Sequence, residues 1–498
     1  MSFLNKTDIK NLAILFLLSL IISTPYFLYS PKHALLSVLL LMVFAIVSKI
    51  VFAIVAVYSL LINAFFLHII PNWGAISLDS RIQAALLSAS YEKKEYLNAY
   101  FGLTDSLIML LYIAATLFAI YYIVKKVQLS SLLKKVFLSV STIAFASILV
   151  FFPTLEILER LQIAHLPLRV YSNYESLNVV SKRKEFLDLA EKKVLKCDNL
   201  LDKIIFIQGE SVNKKHMSLY GYERKTTPFL DSIKTFKFDA ISPTNQTRYS
   251  IPLELTEARV NSFDKFYESK SIVSTLSECG YTTYWISNQG ESSETDTVIT
   301  SIGSEADYAY FLNKLDYTTA GLDGEILKKL KSIGTETPKK QAIFIHLLGS
   351  HFVYSDRYPQ NKAEWEKNDI VSQYDNTVLY TDFIISEIYK LFEDYRSLFV
   401  YLSDHGEVVE QDIHGHGYSP SVKEEYEVPL VFWSTQLSKL PELHSLTQGK
   451  TINTESLNDI FDYLVGVNPE LNVSYSQEVM SVQPDNIVNF SDLKYNKP

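Results

Sequence analysis

Cysteine, glycine and proline are all scarce in this 498-residue chain, which has two cysteines (Cys197 and Cys279), 16 glycines and 16 prolines. A disulfide scaffold needs more of the first, and a collagen-like or low-complexity disordered chain needs more of the other two. Positive charge is short where a nucleic-acid partner would need it. Residues 1–153 hold 11 Lys/Arg and 5 Asp/Glu, which leaves 35 and 50 for residues 154–498. The front third is mildly basic and the rest acidic, and no basic face of the kind that neutralises phosphates appears in the acidic part. No internal repeat is visible. What the chain does have is apolar sequence, 48% of all residues, and its long runs lie at the front. The length allows two or three domains on a prior of roughly 150 residues each.

A helix needs about 20 apolar residues to cross a bilayer core. Residues 11–30 supply one such run, 34–70 a longer one interrupted by Lys49, and 106–123 and 136–152 two more. Splitting the long run at Lys49 gives five spans, the second of them short. Reading it as one span plus a re-entrant piece gives four. Lys125, Lys126, Lys134 and Lys135 cluster between the last two spans, and the positive-inside rule places that loop in the cytoplasm. Five crossings put the N-terminus inside and send the chain out after Phe152, so alternation favours five. No small-x-small cleavage site follows the first run, which argues against a removable signal peptide. The expected plan is a transmembrane domain (1–153), a surface-lying helical linker (154–200) and an extracytoplasmic domain (201–498). Residues 71–102, polar with helical periodicity, are expected on the outer surface. In an oxidising compartment Cys197 and Cys279 either pair or remain two buried thiols; spacing alone does not choose.

In the acidic part, five β-branched or aromatic runs have strand length: 203–207, 282–286, 342–347, 398–402 and 428–433. Helical patterns such as 376–392 lie between them. Continuous apolar strands alternating with helices predict a mostly parallel sheet covered on both faces. Polar motifs follow four of the strands: Gln208-Gly-Glu210-Ser211, Ser287-Asn288-Gln289, His346-Leu-Leu-Gly-Ser-His351 and Ser403-Asp404-His405-Gly-Glu407. Ligands of open α/β sheets bind outside the carboxyl ends of the strands, so these groups are expected at one edge. Asp404, His405 and Glu210 are the donor types that suit zinc. A lone Asp-His pair is as often a capped turn, but the Gly-Glu that follows gives a tight turn at a strand end. His414-Gly-His416-Gly adds two imidazoles on a loop that could equally be a solvated turn. The nucleophile is not fixed by these patterns. There is no G-x-S-x-G elbow; Ser211 is the simplest choice by position, and 242–252 offers several hydroxyls.

The strings Gly209-Glu-Ser211, His216-Met-Ser-Leu-Tyr-Gly-Tyr222, Arg224-Lys-Thr-Thr-Pro228, Gly280 to Gln289, His346 to His351, Arg357-Tyr-Pro359, Ser403 to Glu407 and Tyr426 to Trp433 together resemble the bacterial phosphoethanolamine transferases. These are membrane-anchored members of the alkaline phosphatase/sulfatase superfamily, and the likeness spans roughly residues 200–435. It implies an α-helical membrane domain plus a sulfatase-like α/β domain in the periplasm, anchored in the inner membrane. It implies Thr247, five residues before Pro252, as nucleophile, with zinc held by Glu210, Thr247, Asp404 and His405. It implies His351 and His416 as catalytic histidines on the substrate side, with His414 as the alternative to His416. His346, Asn288 and Gln289 are expected near the substrate. The implied reaction moves phosphoethanolamine from phosphatidylethanolamine to a lipid or glycan hydroxyl of the envelope, lipopolysaccharide foremost, through a phospho-threonine.

Two departures weaken any transfer of the acceptor. Residues 290–293 read Gly-Glu-Ser-Ser where many relatives carry Ser-x-x-Lys, and two cysteines allow only one disulfide. A phosphoglycerol transferase using phosphatidylglycerol is the nearest rival, and the His216–Tyr222 element favours ethanolamine. A true sulfatase lacks support, because 242–246 has no Cys/Ser-x-Pro-x-Arg core. A non-catalytic envelope protein would not need Glu210, Thr247, Asp404 and His405 together.

Overall fold

The computed structural model describes residues 6–29, 31–73, 102–140, 167, 170, 180–190, 193–198, 201–290, 298–313, 321–335, 339–366, 368–410, 413–434, 438–482 and 486–496. They fall into two compact units, one holding the described residues up to 170 and the other those from 180 onward.

The first unit contains helices α1 (Lys6–Tyr29), α2 (Pro31–Val47), α3 (Lys49–Trp73) and α4 (Leu103–Lys126). Its interior is apolar, with Leu15, Ile22, Val38, Phe52, Ala56 and Ala119 buried against one another. Its outer face is apolar as well: Ile50, Ile54, Val57 and Leu61 on α3, and Leu107, Leu110, Leu111, Phe118 and Tyr121 on α4, are exposed. Water does not tolerate such faces, whereas hydrocarbon requires them. Pro25 interrupts the hydrogen-bond ladder of α1, and the nearby carbonyl of Ile22 accepts from Asn63 Nδ2 (2.5 Å) on α3 and Tyr112 OH (2.7 Å) on α4. Lys49, at the break between α2 and α3, donates to Ile123 O. This is an N-terminal membrane region. Among the described residues, Lys6–Phe27 and Leu103–Lys126 are long and apolar enough to cross a bilayer, and Ala34–Val47 and Lys49–Ala64 are shorter apolar helices. The expected surface segment 71–102 and most of the expected fifth span, 136–152, lie outside the described residues.

The second unit is built on one eight-stranded sheet. Its strands are β1 (Lys203–Gly209), β2 (Phe236–Ile241), β3 (Thr282–Gly290), β4 (Tyr308–Asn313), β5 (Gln341–His346), β6 (Ser397–Ser403), β9 (Glu427–Ser434) and β10 (Ile452–Asn453). The short hairpin β7 (Val408–Val409) and β8 (His414–Gly415) lies outside it. The order is β10-β2-β9-β6-β1-β5-β3-β4. All neighbours are parallel except β9, which runs antiparallel to both β6 and β2. The sheet is therefore mostly parallel, as the apolar runs predict, with 428–433 reversed.

Alternation along each strand explains why those runs are continuous. Ile204 and Phe206 of β1, Ala342 and Phe344 of β5, and Leu398, Val400 and Leu402 of β6 enter one core. Ile205, Ile207, Ile343, Ile345, Phe399 and Tyr401 enter the other. Successive side chains point to opposite faces, so a strand covered on both sides must be apolar throughout. Helix α5 (Thr247–Leu255) covers the first face through Ile251, Leu253 and Leu255. Helix α6 (Ile370–Phe392), whose N-cap Asp369 accepts from Ser372 N at 2.8 Å, covers the second through Tyr374, Val378, Ile384 and Ile388.

Residues 180–190 and 193–198, within the segment expected as a linker, belong to this unit. Arg183 is fully buried. It donates to the carbonyls of Phe266 and Ser269 and pairs with Glu305, since a guanidinium removed from water must find acceptors. Cys197 and Cys279 are joined as a disulfide.

Candidate active site

The parallel register aligns Gln208 with His346, His346 with Ser287, and Gly209 with Ser403. The residues that follow β1, β3, β5 and β6 consequently leave the sheet at one edge. Glu210, Asp404 and His405 converge there, and Thr247, the first residue of α5, joins them. Thr247 Oγ1 lies 3.3 Å from Glu210 Oε2 and 3.2 Å from His405 Nε2. His405 Nε2 lies 3.4 Å from both Glu210 Oε1 and Asp404 Oδ2.

Each turn is held in place by its surroundings. Ser211 adopts φ 58°, a left-handed conformation uncommon for a residue with a side chain. That turn lets its amide donate to Asp404 Oδ1 (3.2 Å), while its carbonyl accepts from Tyr374 OH (2.6 Å) on α6. Gly406 packs so closely that a Cβ would lie 2.1 Å from Glu424 O, and its amide donates to Glu425 O at 2.8 Å. After β5, the buried Asp323 carboxylate accepts from Leu348 N, Gly349 N and Asn288 Nδ2, each at 2.8–2.9 Å. Gln289 Nε2 donates to Glu210 Oε2 at 2.9 Å.

The electrostatics are those of a cation site. Two carboxylates, Glu210 and Asp404, are buried side by side. Burial and the neighbouring Glu210 push Asp404 up to about 7. Burial opposes a charge on His405, but Asp404 and Glu210 outweigh it and raise the imidazole to about 10. Glu210 is held well below the usual carboxylate range: burial would raise it, and the contacts with His405, His351 and His416 prevail. A proton on His405 and a bound cation are thus two ways of compensating the same buried acids. Asp404 Oδ2 is buried and makes no hydrogen bond among the described residues. His405 Nδ1 sits 2.8 Å from Gly406 O; donation there leaves Nε2 free to bind a metal. Two carboxylates, one imidazole and one hydroxyl fit zinc.

His416 lies with its ring centroid 4.0 Å from that of His405, and its Nδ1 is 2.8 Å from Glu407 Oε2. Burial, followed by the neighbouring His405, lowers His416 below the usual imidazole range. His414 sits against Tyr354, with ring centroids 6.0 Å apart, so His416 is the imidazole of this loop that meets the cluster. His351 follows the clamped loop after β5, and Arg357 holds its carbonyl. His346 is placed differently from Gln289. It is 1% exposed, its Nδ1 is 3.2 Å from Ser287 Oγ, and burial lowers it to about 4. Asn288 is likewise fully buried and braces Asp323 and Gly321 O. Ser211 directs its hydroxyl to Glu210 Oε1 (2.8 Å). The His216–Tyr222 element serves a clamp: His216, Tyr222 and Arg224 all bind the fully buried carboxylate of Asp375 on α6.

Four residues the sequence did not single out as functional shape the site: Glu407, Tyr354, Asp323 and Asp375. Glu407 stood in a motif and read only as part of a turn. Tyr354 is one of 32 tyrosines, and Asp323 and Asp375 have no local pattern.

A doubly covered, mostly parallel sheet carries a carboxylate, imidazole and threonine cluster at its carboxyl edge, with the donor types that could hold a metal ion. The chain belongs to the sulfatase family, whose sequence pattern matches residues 202–466. It is 27% identical over 259 residues to the phosphoethanolamine transferase EptC of Escherichia coli K12, covering 47% of this chain and 45% of that one. The chain spans about half the length of the curated relatives it matches. Among solved structures, the periplasmic domain of Escherichia coli EptC in complex with zinc superposes with a TM-score of 0.55 at 24% identity, covering 62% of this chain and 99% of that one. The integral membrane lipooligosaccharide phosphoethanolamine transferase A of Neisseria meningitidis superposes with a TM-score of 0.62 at 19% identity, covering 97% and 99%. Those two likenesses establish a shared fold, and the second extends over the N-terminal region as well.

Proposed function

We propose that the protein is a zinc-dependent phosphoethanolamine transferase of the bacterial inner membrane, with five spans and its catalytic domain in the periplasm. It takes phosphoethanolamine from phosphatidylethanolamine and passes it to a hydroxyl of an envelope lipid or glycan, lipopolysaccharide foremost. The observation that carries this reading is Thr247, placed at the first turn of α5 with its hydroxyl between Glu210 and His405.

Glu210, Thr247, Asp404 and His405 would hold zinc. When bound, zinc lowers the pKa of a coordinated hydroxyl and offsets charge on phosphoryl oxygens. Thr247 Oγ1, its hydroxyl proton lost to solvent beforehand, attacks phosphorus as the alkoxide, the bond to the diacylglycerol oxygen breaks, and a proton reaches that oxygen from His416. His351 faces the same phosphoryl group and offsets its charge. In the second displacement the acceptor oxygen attacks the phospho-threonine, His416 takes the acceptor's proton, and Thr247 is released. The amide-rich start of α5 is a favourable seat for the anionic phosphoryl group. Membrane spans suit an enzyme whose donor is a lipid.

Thr247→Ala tests this directly. It should abolish transfer from labelled phosphatidylethanolamine while the thermal unfolding curve stays close to that of the unaltered protein. A folded, active variant would overturn the assignment.

A further inference from the structure

We infer that Glu407 and Tyr354 are positioning residues that aim His416 for proton transfer, an inference that rests on the reaction proposed above. His416 cannot be aimed by its own backbone. It stands between Gly415 (φ 117°) and Gly417 (φ 79°), positions with the conformational freedom of glycine, just beyond the two-residue strand β8. The ring direction is set instead by Glu407, whose Oε2 lies 2.8 Å from His416 Nδ1.

Glu407 is itself immobilised. It is 1% exposed, its backbone carbonyl accepts from Asn213 Nδ2 at 3.1 Å, and its other carboxylate oxygen accepts from Tyr354 OH at 2.5 Å. Both oxygens thus have donors, and Nδ1 of His416 is committed, which leaves Nε2 as the imidazole atom available to a substrate. A carboxylate that fixes a histidine's tautomer and orientation is a recurrent catalytic device.

Tyr354 gives the arrangement a second property. It lies three residues after His351, directly after Val353, which adopts φ 63°, a strained value for a β-branched residue. Arg357 holds that turn through the carbonyls of His351 and Phe352. The Tyr354 ring packs edge-on against Tyr374, centroids 5.1 Å apart, and Tyr374 in turn holds the carbonyl of Ser211. One phenol therefore ties the loop bearing His351 to the loop bearing His416, so the two imidazoles keep a fixed separation around the phosphoryl group.

The proton balance closes over a full turnover. In the first displacement the phosphorus–Thr247 bond forms, the bond to diacylglycerol oxygen breaks, and His416 Nε2 gives its proton to that oxygen. In the second, the phosphorus–acceptor bond forms, the phosphorus–Thr247 bond breaks, and Nε2 takes the acceptor's proton. The proton His416 loses is the proton it regains, Thr247 begins and ends the cycle as the alkoxide, Glu407 stays a carboxylate and Tyr354 keeps its proton.

The test compares two donors whose leaving groups differ. Phosphatidylethanolamine expels an alkoxide that needs a proton, whereas a p-nitrophenyl phosphoethanolamine ester expels a phenolate that does not. In the full-length zinc-loaded protein, first-turnover rates are measured with each donor for the unaltered chain, Tyr354→Phe and Glu407→Gln. With the lipid donor, the saturating first-turnover rate should fall about tenfold for Tyr354→Phe and about 100-fold for Glu407→Gln, with the half-saturating donor concentration little changed. With the nitrophenyl donor, both variants should remain within about threefold of the unaltered rate, and zinc per chain should not change. Equal losses on both donors, or no loss on either, would overturn the positioning role. A drop in zinc content with Glu407→Gln would overturn it in favour of Glu407 as a metal ligand beside His405 and His416. If the unaltered protein reacts with neither donor, the proposed function itself fails, which is a separate result. Tyr354→Phe removes a single oxygen and keeps the test valid should Glu407→Gln not fold.

Discussion

A methyl group on Gly349 would lie 2.9 Å from the carbonyl oxygen of Glu210 and 3.0 Å from its amide nitrogen. The loop after β5 and the loop after β1 therefore share one backbone seat, reinforced by Ser350 N donating to Glu210 O at 2.9 Å. Gly349 also has φ 53°, so a side chain there meets both a clash and an unfavourable conformation. Gly349→Ala should displace Glu210, weaken zinc binding by at least about tenfold, and cut transfer in parallel. Equilibrium dialysis against zinc measures this; unaltered affinity would show that the seat does not set the ligand's position.

Removing zinc should destabilise the protein. Without a cation, the adjacent carboxylates of Glu210 and Asp404 are compensated only by protons and hydrogen bonds. Anything that binds the native state alone stabilises it by mass action, about 2.7 kcal/mol at a hundredfold excess over Kd. Chelator should lower the midpoint of thermal unfolding by several degrees, and zinc should restore it. A midpoint indifferent to chelator and zinc would contradict the metal site.

Much of the architecture was legible because burial on both faces leaves a trace. After Lys203 the run 203–207 has no polar residue, and 398–402 is apolar or aromatic throughout, as a doubly covered strand requires. β2, β4 and β10 were missed, since Phe236–Ile241 carries Lys237 and Asp239, Tyr308–Asn313 lies at the sheet edge with Tyr308 exposed, and Ile452–Asn453 is only two residues long. The reversal of β9 has no local signature, because Val428, Leu430, Val431 and Phe432 are as apolar and buried as the residues of the parallel strands β1 and β5. Glu210, Asp404 and His405 were legible as strand-end residues. Thr247 entered only through family resemblance, for nothing in 242–252 distinguishes one hydroxyl from another. The roles of Glu407, Tyr354 and Asp323 are tertiary: each depends on a partner at least 9 residues away.

Asp382 makes stability depend on pH. Its carboxylate accepts from Phe229 N (2.7 Å) and Leu230 N (3.1 Å), but burial outweighs those bonds and raises it to about 7. Between about pH 4 and pH 7 the folded protein keeps a proton that the unfolded chain releases, so this group's contribution falls as pH rises. In Asp382→Asn that contribution is absent. Whatever its offset at pH 5, the variant's unfolding midpoint should gain on the unaltered protein by a few degrees towards pH 8. A gap that stays constant or moves the other way would contradict the assignment.

The Cys197–Cys279 bond closes a loop of 82 residues and is flanked by Leu195 N donating to Glu278 O at 3.0 Å. Cys279→Ser should cost about 2–4 kcal/mol of stability and leave transfer at permissive temperature unchanged, because neither sulfur touches the site. Denaturant unfolding of the two proteins, with and without reductant, checks the difference. Identical curves would mean that the bond does not form.

The central claim is a double displacement through Thr247, and intact mass spectrometry tests it without knowledge of the acceptor. The zinc-loaded protein is incubated with phosphatidylethanolamine, and separately with phosphatidylglycerol, in the absence of any acceptor. The account predicts one phosphoethanolamine adduct per chain with the first lipid, localised to Thr247 and missing from Thr247→Ala. An adduct with phosphatidylglycerol alone would make the protein a phosphoglycerol transferase. No adduct and no diacylglycerol release from either lipid would contradict the account.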